Sequence, residues 1–516
     1  MLETAFHAIM SQVAIMNSFP IRLAVLLTLV NGFASAHAAF DESKIDALVK
    51  DAQKAFDVPG VAVAIVKDGD VIYLKGFGVK ELGKKDSVTP DTLFPLSSCT
   101  KAFTTTAMAI LVDEERMAWD DPVRKHVEFF HLADPLADAD VRMRDLVCHR
   151  TGLAGHDLLW YRATWKPEEA IRRIGHVKLD KPFRGAFQYQ STMFTTAGYG
   201  VGVASKSTWK EFVQTRILDP LEMKATVFTT LDAEKVDHAL PHRKNMSGEV
   251  VSISACKMEY PDAASSLHSS ARDLANWARF QLGDGTWKGK QIVSAKNLGE
   301  THTAQMAIRV EGLTKAMNPE SHVINYGMGW VLQDYRGVEL ISHAGAIDGY
   351  RVHLTLVPEA KLGIVLLVNL HQTRMNLALS NSLVDLMLAL PKKDWNAHFI
   401  DLAKKDDADI RDRAKERTAK RHQGTKPSRE LGAYTGGYED EAFGTGKVTL
   451  EDGQLVWKWS TFTCPLEHYH YDTFIAKNDL IGNPMVVFTL GADGEVKAMD
   501  VQDAVGVEFR KVKGKK

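Results

Sequence analysis

Two stretches of alternating apolar residues, far apart in the chain, constrain its fold most. The first, GVAVAIVKDGDVIYLKGFG from Gly60 to Gly78, alternates and turns at Asp68-Gly69-Asp70, which predicts a β-hairpin. The second, YRVHLTLVPEAKLGIVLLVNL from Tyr350 to Leu370, follows YGMGWVLQDY and VELISHAG and reads as successive strands joined by short turns. Between them, residues 141–290 alternate helical segments with polar loops and offer few strands. Strands from both ends of one domain with helices gathered between them indicate an α+β layout, with one antiparallel sheet completed late in the chain.

Helical spacing over Ser43 to Phe56 ends at Val58-Pro59-Gly60. FTTTAMAILVDEERM predicts a long buried helix, Val141 to Cys148 a shorter one, and ARDLANWARFQL a third that buries Leu274, Trp277, Ala278 and Phe280. A helix from Met375 through Leu390 closes the domain. The charged run from Pro391 to Arg429 predicts a solvated helix, with Asp407/Arg411, Asp409/Arg413 and Glu416/Lys420 at i,i+4 spacing. From Leu431 the texture is all-β, with turns at Asp452-Gly453 and Asp493-Gly494, which predicts a small antiparallel sheet or barrel. The domain expectation is thus 1–38 signal peptide, 39–390 main domain, 391–430 charged helical linker and 431–516 β-domain.

Arg22 precedes the apolar run LAVLLTLV, which is too short to span a bilayer, and Ala36-His37-Ala38 fits the small-x-small cleavage rule. Met16 serves equally well as the start of such a signal. The expectation is export across the inner membrane to the periplasm, with no stable membrane insertion once the signal is cleaved. An uncleaved signal would instead leave an anchor. With Lys+Arg 63 against Asp+Glu 65 and a net charge of -2, no global field favours nucleic acid or an anionic membrane. Cys99, Cys148, Cys256 and Cys464 are scattered without CxxC spacing and read as buried thiols.

The chemistry centres on LFPLSSCTKAFTTTAM, Leu93 to Met108, where Ser98 and Lys101 share one face of a helix's first turn. A serine hydroxyl is a weak nucleophile, and an amine whose pKa burial lowers can take its proton. The helix N-terminus stabilises developing negative charge. Ser-x-x-Lys also occurs at Ser207/Lys210 and Ser254/Lys257. Only the first opens a long apolar helix after an extended segment, and the others read as surface or loop residues.

The ordered strings VPGVAVAIVKDGDVIYLKGFG, TPDTLFPLSSCTKAF, CHRTGL, YQS, DPLEMKAT, SSLHSSARDLANW, YGMGW and HAGAIDGY resemble the serine β-lactamase-like family over residues 41–390. That group contains class C β-lactamases, penicillin-binding proteins, related esterases and D-aminopeptidases. The segment 431–511, with GGY, GQLVWKW and HYHYDTF, is similar to the lipocalin-like domain appended to some members. The resemblance implies a transpeptidase-like antiparallel sheet with flanking helices, a mostly helical insertion and a C-terminal β-barrel. It makes Ser98 the acylated nucleophile, Lys101 its proton partner and Tyr189 the residue that shares the base role, its phenol pKa lowered by cationic neighbours. It places His343-Ala344-Gly345 as the third motif, backbone N–H groups of Ser98 and Ala346 as the oxyanion hole, and Ser191 and Gly345 against substrate.

Ser191 stands where the family commonly has asparagine, and His343 where many penicillin-recognising members have lysine, which removes a permanent positive charge. Both changes point away from β-lactam hydrolysis toward ester or peptide cleavage. The expected function is an exported serine hydrolase, without metal or cofactor, acting on small linear peptides or amides, including ones with D-residues. A carboxylesterase with the same residues is the first alternative; a β-lactamase or a non-catalytic penicillin- or peptidoglycan-binding module is the other. His149 and His156 lack metal-partner spacing, and His468 and His470 read as structural although such a pair can bind zinc.

Overall fold

The computed structural model describes residues 41–245, 247–502 and 506–512. The signal expected at 1–38 lies outside them.

The early hairpin pairs β1 (Gly60–Lys67) with β2 (Asp70–Gly78). Asp68 and Gly69 both have positive φ, 51° and 87°, as a two-residue turn between twisted strands requires. The remaining strands are β3 (Met306–Ile308), β4 (Ile324–Tyr326), β5 (Val331–Tyr335), β6 (Val338–Ile347), β7 (Tyr350–Val357) and β8 (Leu362–Val368). Together they form one eight-stranded antiparallel sheet in the order β2-β1-β8-β7-β6-β5-β4-β3. The last strand therefore lies beside the first, and the chain's two apolar runs become central neighbours. Every residue of β8 is buried, and in β1 all but Lys67, because helices cover both faces there.

Helix α1 (Glu42–Phe56) precedes the sheet. Helix α2 (Thr100–Asp113) is buried almost all round, from Thr100 to Leu111, and packs against α3 (Ser191–Ser205). Helix α4 (Ala271–Gln281), capped by Ser270 accepting from the Asp273 N–H, lies on β1 and β8. Trp277 of α4 stacks on Phe103 of α2 with ring centroids 3.8 Å apart. On the opposite face lies α5 (Met375–Met387), where Ser380 meets Thr355 of β7 at 2.8 Å.

The helix expected over Val141 to Cys148 is shorter, Met143–Leu146, because Arg142 is extended as its N-cap and Val147 leaves helical geometry at φ −107° and ψ 8°. The insertion also contributes to short strand pairs: its His268–Ser269 pairs with Phe94–Pro95 ahead of it, and its His242–Lys244 with Val250–Ser252. Two- and three-residue pairings have no hydrophobic period to read.

Helix α6 (Trp395–Ala419) is anchored at its start by Trp395, whose indole donates to Asp385 of α5 at 2.8 Å. Of the spaced ion pairs, Glu416–Lys420 forms at 2.7 Å, whereas Asp407 and Asp409 form none among the described residues. Long exposed side chains gain little from pairing. Past α6, Arg421 donates to the carbonyls of Tyr469 and His468, tying the helix end to the C-terminal strands.

These are β9 (Gly436–Asp440), β10 (Gly444–Glu451), β11 (Gln454–Trp459), β12 (Phe462–His470), β13 (Thr473–Ala476), β14 (Met485–Leu490), β15 (Val496–Val501) and β16 (Val507–Lys511). They close into an antiparallel barrel through the β9–β16 pairing. An eight-stranded barrel is just wide enough for side chains to fill, and Tyr434, Phe474 and Phe488 do so with centroids 5.0 to 5.7 Å apart. The barrel docks on the main domain through the β11–β12 turn, where Ser460 and Thr461 donate hydroxyl hydrogen bonds to the Arg162 carbonyl at 2.7 and 3.0 Å. No described helix is long and apolar enough to cross a membrane.

Candidate active site

The nucleophile candidate is delivered by a strained turn. After Phe94–Pro95 the chain passes Leu96 and reaches Ser97, which is buried with φ 47°, a conformation that costs a non-glycine residue about 1 kcal/mol or more. The Ser97 hydroxyl donates to the Ala346 carbonyl at 2.7 Å, so the strain is held by a bond to β6. A short 3-10 turn, Ser97–Cys99, then leads into α2 and leaves Ser98 half-buried at the helix N-terminus. The Cys99 thiol donates to the His343 carbonyl at 3.3 Å, a second tie to β6.

Lys101 is completely shut from solvent. Its Nζ donates to Ser98 Oγ at 3.1 Å, to the Ala264 carbonyl at 3.2 Å and to Ser191 Oγ at 3.3 Å, which uses all three ammonium protons. Burial pulls its pKa down to about 8, opposed by the carboxylates of Asp262 and Asp157. Roughly a tenth of the lysine is then neutral at pH 7, a usable fraction of base.

Tyr189 precedes α3, and its ring lies beneath the ammonium, with Lys101 Nζ 4.9 Å from the centroid. The lowered phenol pKa expected from cationic neighbours is not what the structure produces. Burial raises it above its ordinary value and outweighs the opposing hydrogen bonding with Ser98, so the resting group is a phenol. Ser191, expected against substrate, is buried and turned to Lys101, where its hydroxyl accepts one of the ammonium's protons.

His343 is buried on β6. Its Nδ1 lies 2.8 Å from the Ala344 carbonyl, an acceptor only, so Nδ1 carries the proton and Nε2 accepts from the Tyr326 hydroxyl at 3.1 Å. Burial and the Lys101 cation push its pKa down to about 3, which makes it a neutral group at physiological pH. Gly345, two residues on, faces the incoming nucleophile segment: a β-carbon there would stand 2.1 Å from the Leu96 carbonyl oxygen. Ser98, Lys101, Tyr189, Ser191, His343, Gly345 and Ala346 are thereby gathered at one place. The other Ser-x-x-Lys serines and lysines, Ser207, Lys210, Ser254 and Lys257, are exposed.

Sequence reasoning missed His149. Its Nδ1 accepts from the Gln190 N–H at 3.1 Å, its ring lies 4.1 Å from that of Tyr189 and 4.5 Å from that of Tyr326, and its Nε2 is buried without a partner. The signal lies in CHRTGL and YGMGW, which carry His149 and Tyr326, and not in any metal-ligand spacing. Among the described residues no cluster of three or more His, Cys, Asp or Glu could hold a metal ion. Cavities flank the site. One, of about 460 Å³, has Asp262, Trp165 and Tyr260 in its wall; another, of about 470 Å³, opens beside Ala346. Between them stands Arg162, whose guanidinium holds Asp348 at 2.7 Å and whose carbonyl receives the barrel turn.

A sheet flanked by helices, with a Ser-x-x-Lys pair of half-buried serine and buried lysine at the start of a buried helix, defines a serine hydrolase of the penicillin-recognising fold. The chain belongs to the Beta-lactamase family, which it matches over residues 45–386. Residues 420–516 match a second family, described as a domain of unknown function, DUF3471. Unguisins hydrolase ungD of Aspergillus violaceofuscus is 26% identical over 505 residues, covering 90% of this chain and 88% of its own length. Protein flp of Staphylococcus aureus is 26% identical over 335 residues, covering 64% of this chain and 63% of its own. The octameric penicillin-binding protein homologue from Pyrococcus abyssi has a TM-score of 0.60 at 21% identity, covering 92% of this chain and 100% of that one. SurE has a TM-score of 0.54 at 18% identity, covering 91% and 99%.

Proposed function

We propose that this chain is an exported peptidase of the periplasm that forms an acyl-enzyme on Ser98 and prefers small linear peptides or amides, D-residues among them. The observation that carries the chemistry is the 3.1 Å contact between Ser98 Oγ and a lysine shut from solvent. In this reading neutral Lys101 takes the Ser98 proton as Oγ bonds to the substrate carbonyl carbon. The N–H groups of Ser98 and Ala346 receive the oxyanion. Tyr189, a phenol at rest, gives its proton to the leaving nitrogen and is refilled from Lys101, so the serine proton ends on the departing amine. Water then enters by the reverse route and releases the acid.

Neutral His343 acts by orientation: it fixes the Tyr326 hydroxyl and offers no cation to a β-lactam carboxylate. The peptide preference is supported by similarity to a hydrolase over 90% of the chain, and by the crystal structure of SurE with D-Leu, a relative of this fold paired with a D-amino acid. Export rests on the apolar run at Leu23 to Val30 and the Ala36-His37-Ala38 site.

The test is turnover of matched D- and L-peptides, p-nitrophenyl esters and a β-lactam by the purified chain, with a serine-directed phosphonate as label. Peptide turnover with labelling lost in Ser98→Ala is expected. Ester turnover without peptide turnover replaces the peptidase by a carboxylesterase, and no turnover with retained ligand binding replaces it by a binding module.

A further inference from the structure

To carry a proton for Ser98, Tyr189 must keep its hydroxyl at that serine, yet it stands in a stretch of chain without strand or helix. Residues 186–190 join no ladder and end where α3 begins at Ser191. Backbone N–H groups in such a stretch must find partners elsewhere in the fold. The two amides that flank Tyr189 both find His149: the Gln188 N–H donates to the His149 carbonyl at 2.8 Å, and the Gln190 N–H to its Nδ1 at 3.1 Å. One residue therefore grips the chain on either side of the tyrosine. The ring of His149 also lies against that of Tyr189, tilted by 36° with centroids 4.1 Å apart.

His149 is itself built into place. It is 1% exposed, and its φ of 56° is a costly conformation for a residue with a side chain, one that persists where the surrounding structure enforces it. The rest of its turn grips the same stretch: the Arg150 carbonyl accepts from the Arg184 N–H at 2.7 Å, and the Gly152 carbonyl from the Asp180 and Lys181 N–H groups at 2.9 and 3.1 Å. Because Nδ1 accepts from an amide, the neutral ring carries its proton on Nε2, a donor that is buried without a partner. Burial and the Lys101 cation hold the ring's pKa well below its ordinary value, so it stays neutral and Nδ1 stays free to accept. Packing alone would be served better by an apolar ring, which strands no donor. What an apolar ring lacks is the acceptor for Gln190.

We infer that His149 is a positioning residue for proton transfer: it fixes Tyr189 through the amides on both sides and through its ring, and so keeps the phenol hydroxyl at Ser98. This rests on the peptidase reading above, in which Tyr189 delivers the proton to the leaving nitrogen. His149 is shut from solvent and acts through Tyr189 alone. Its ring also lies 4.5 Å from that of Tyr326, whose hydroxyl is bonded to His343, so the second and third motifs share one support.

The test measures kcat and KM on an alanine tripeptide, in L and D form, and on p-nitrophenyl acetate, for the unaltered chain, His149→Phe, His149→Asn, Tyr189→Phe and the double variant H149F/Y189F. His149→Phe keeps a ring and removes the acceptor. His149→Asn keeps an acceptor on the same γ-carbon, and asparagine takes a positive φ readily. His149→Phe is expected to lower kcat on the peptide by about a hundredfold, the loss that a misplacement of about 1 Å brings, with KM little changed. The ester, whose leaving group needs no proton, is expected to lose less. His149→Asn is expected to show the same split at a smaller size, and it stands in should His149→Phe fail to fold. The double variant is expected to be no slower than Tyr189→Phe, because a residue that acts through Tyr189 then has nothing left to position. Equal losses on peptide and ester, or the full loss repeated in the Tyr189→Phe background, overturn the role and leave the peptidase reading standing. Should the unaltered chain turn over no peptide, the peptidase reading fails and crystal structures of the unaltered chain and the His149 variants decide: a Tyr189 hydroxyl moved away from Ser98 supports the inference, and one left in place overturns it.

Discussion

A β-carbon on Gly345 would stand 2.1 Å from the carbonyl oxygen of Leu96, two residues before Ser98. The third-motif strand can therefore lie against the nucleophile turn only because position 345 has no side chain. Val352, opposite it in register, closes the same side at 3.4 Å, so β6 has no easy way to yield.

Gly345→Ala is accordingly expected to cost about 1–3 kcal/mol of stability, as overpacking does. It should also cost about a hundredfold in kcat by displacing Ser98 from Ala346. Thermal unfolding and steady-state kinetics on the same preparation check this, and an unchanged kcat would show that the close approach does not position the nucleophile.

Ser98→Ala should lower kcat by at least about a thousandfold, because Ser191, the other serine within reach of Lys101, is buried, whereas Ser98 is half-buried at the helix N-terminus. Phosphonate labelling followed by mass spectrometry reads the same residue directly. A label found on Ser97 or Ser191 would transfer the role.

The pH dependence follows from Lys101. Only the neutral amine accepts the serine proton, and its pKa is near 8, so kcat/KM should rise about tenfold per pH unit below that value and level above it. His343, with a pKa near 3, stays neutral across that window and contributes no limb to the profile. A profile that falls with rising pH between about 6 and about 8 would assign the base elsewhere.

Tyr189→Phe keeps the ring beneath the Lys101 ammonium and removes the hydroxyl. Loss of about a hundredfold to ten-thousandfold in kcat is expected for a proton carrier, with the larger loss on amides, whose leaving nitrogen needs a proton, than on p-nitrophenyl esters. Equal losses on both substrates would make the hydroxyl a positioning group instead.

Arg162→Ala would leave Asp348 buried without its cation, at a cost of about 3 kcal/mol. Because the Arg162 loop also receives Ser460 and Thr461 of the barrel, the substitution should raise KM for peptides more than for small esters. Differential scanning calorimetry and the two KM values check the two halves separately.

The chain's order of periods makes the architecture legible in the sequence. Alternation over Gly60 to Gly78 and again over Tyr350 to Leu370 is local information, set by residues that neighbour each other along a strand, and so are the apolar run of α2 and the apolar face of α4. The Ser98 to Lys101 spacing is local too, one turn of one helix. What the sequence could not contain was the electrostatics of their surroundings. Tyr189 was expected to be acidified by its cations, and burial reversed the sign. Ser191 was expected to face substrate and instead accepts a hydrogen bond from Lys101.

His149 was passed over because its role depends on stacking beside Tyr189 and Tyr326, which come from distant segments. By itself, then, the sequence determined the central strands of the sheet, the longer helices and the Ser98–Lys101 pair, all products of short-range periodicity and sterics. The tertiary structure alone decided protonation states and which charges stand unpaired, because both depend on desolvation by residues that only folding brings together.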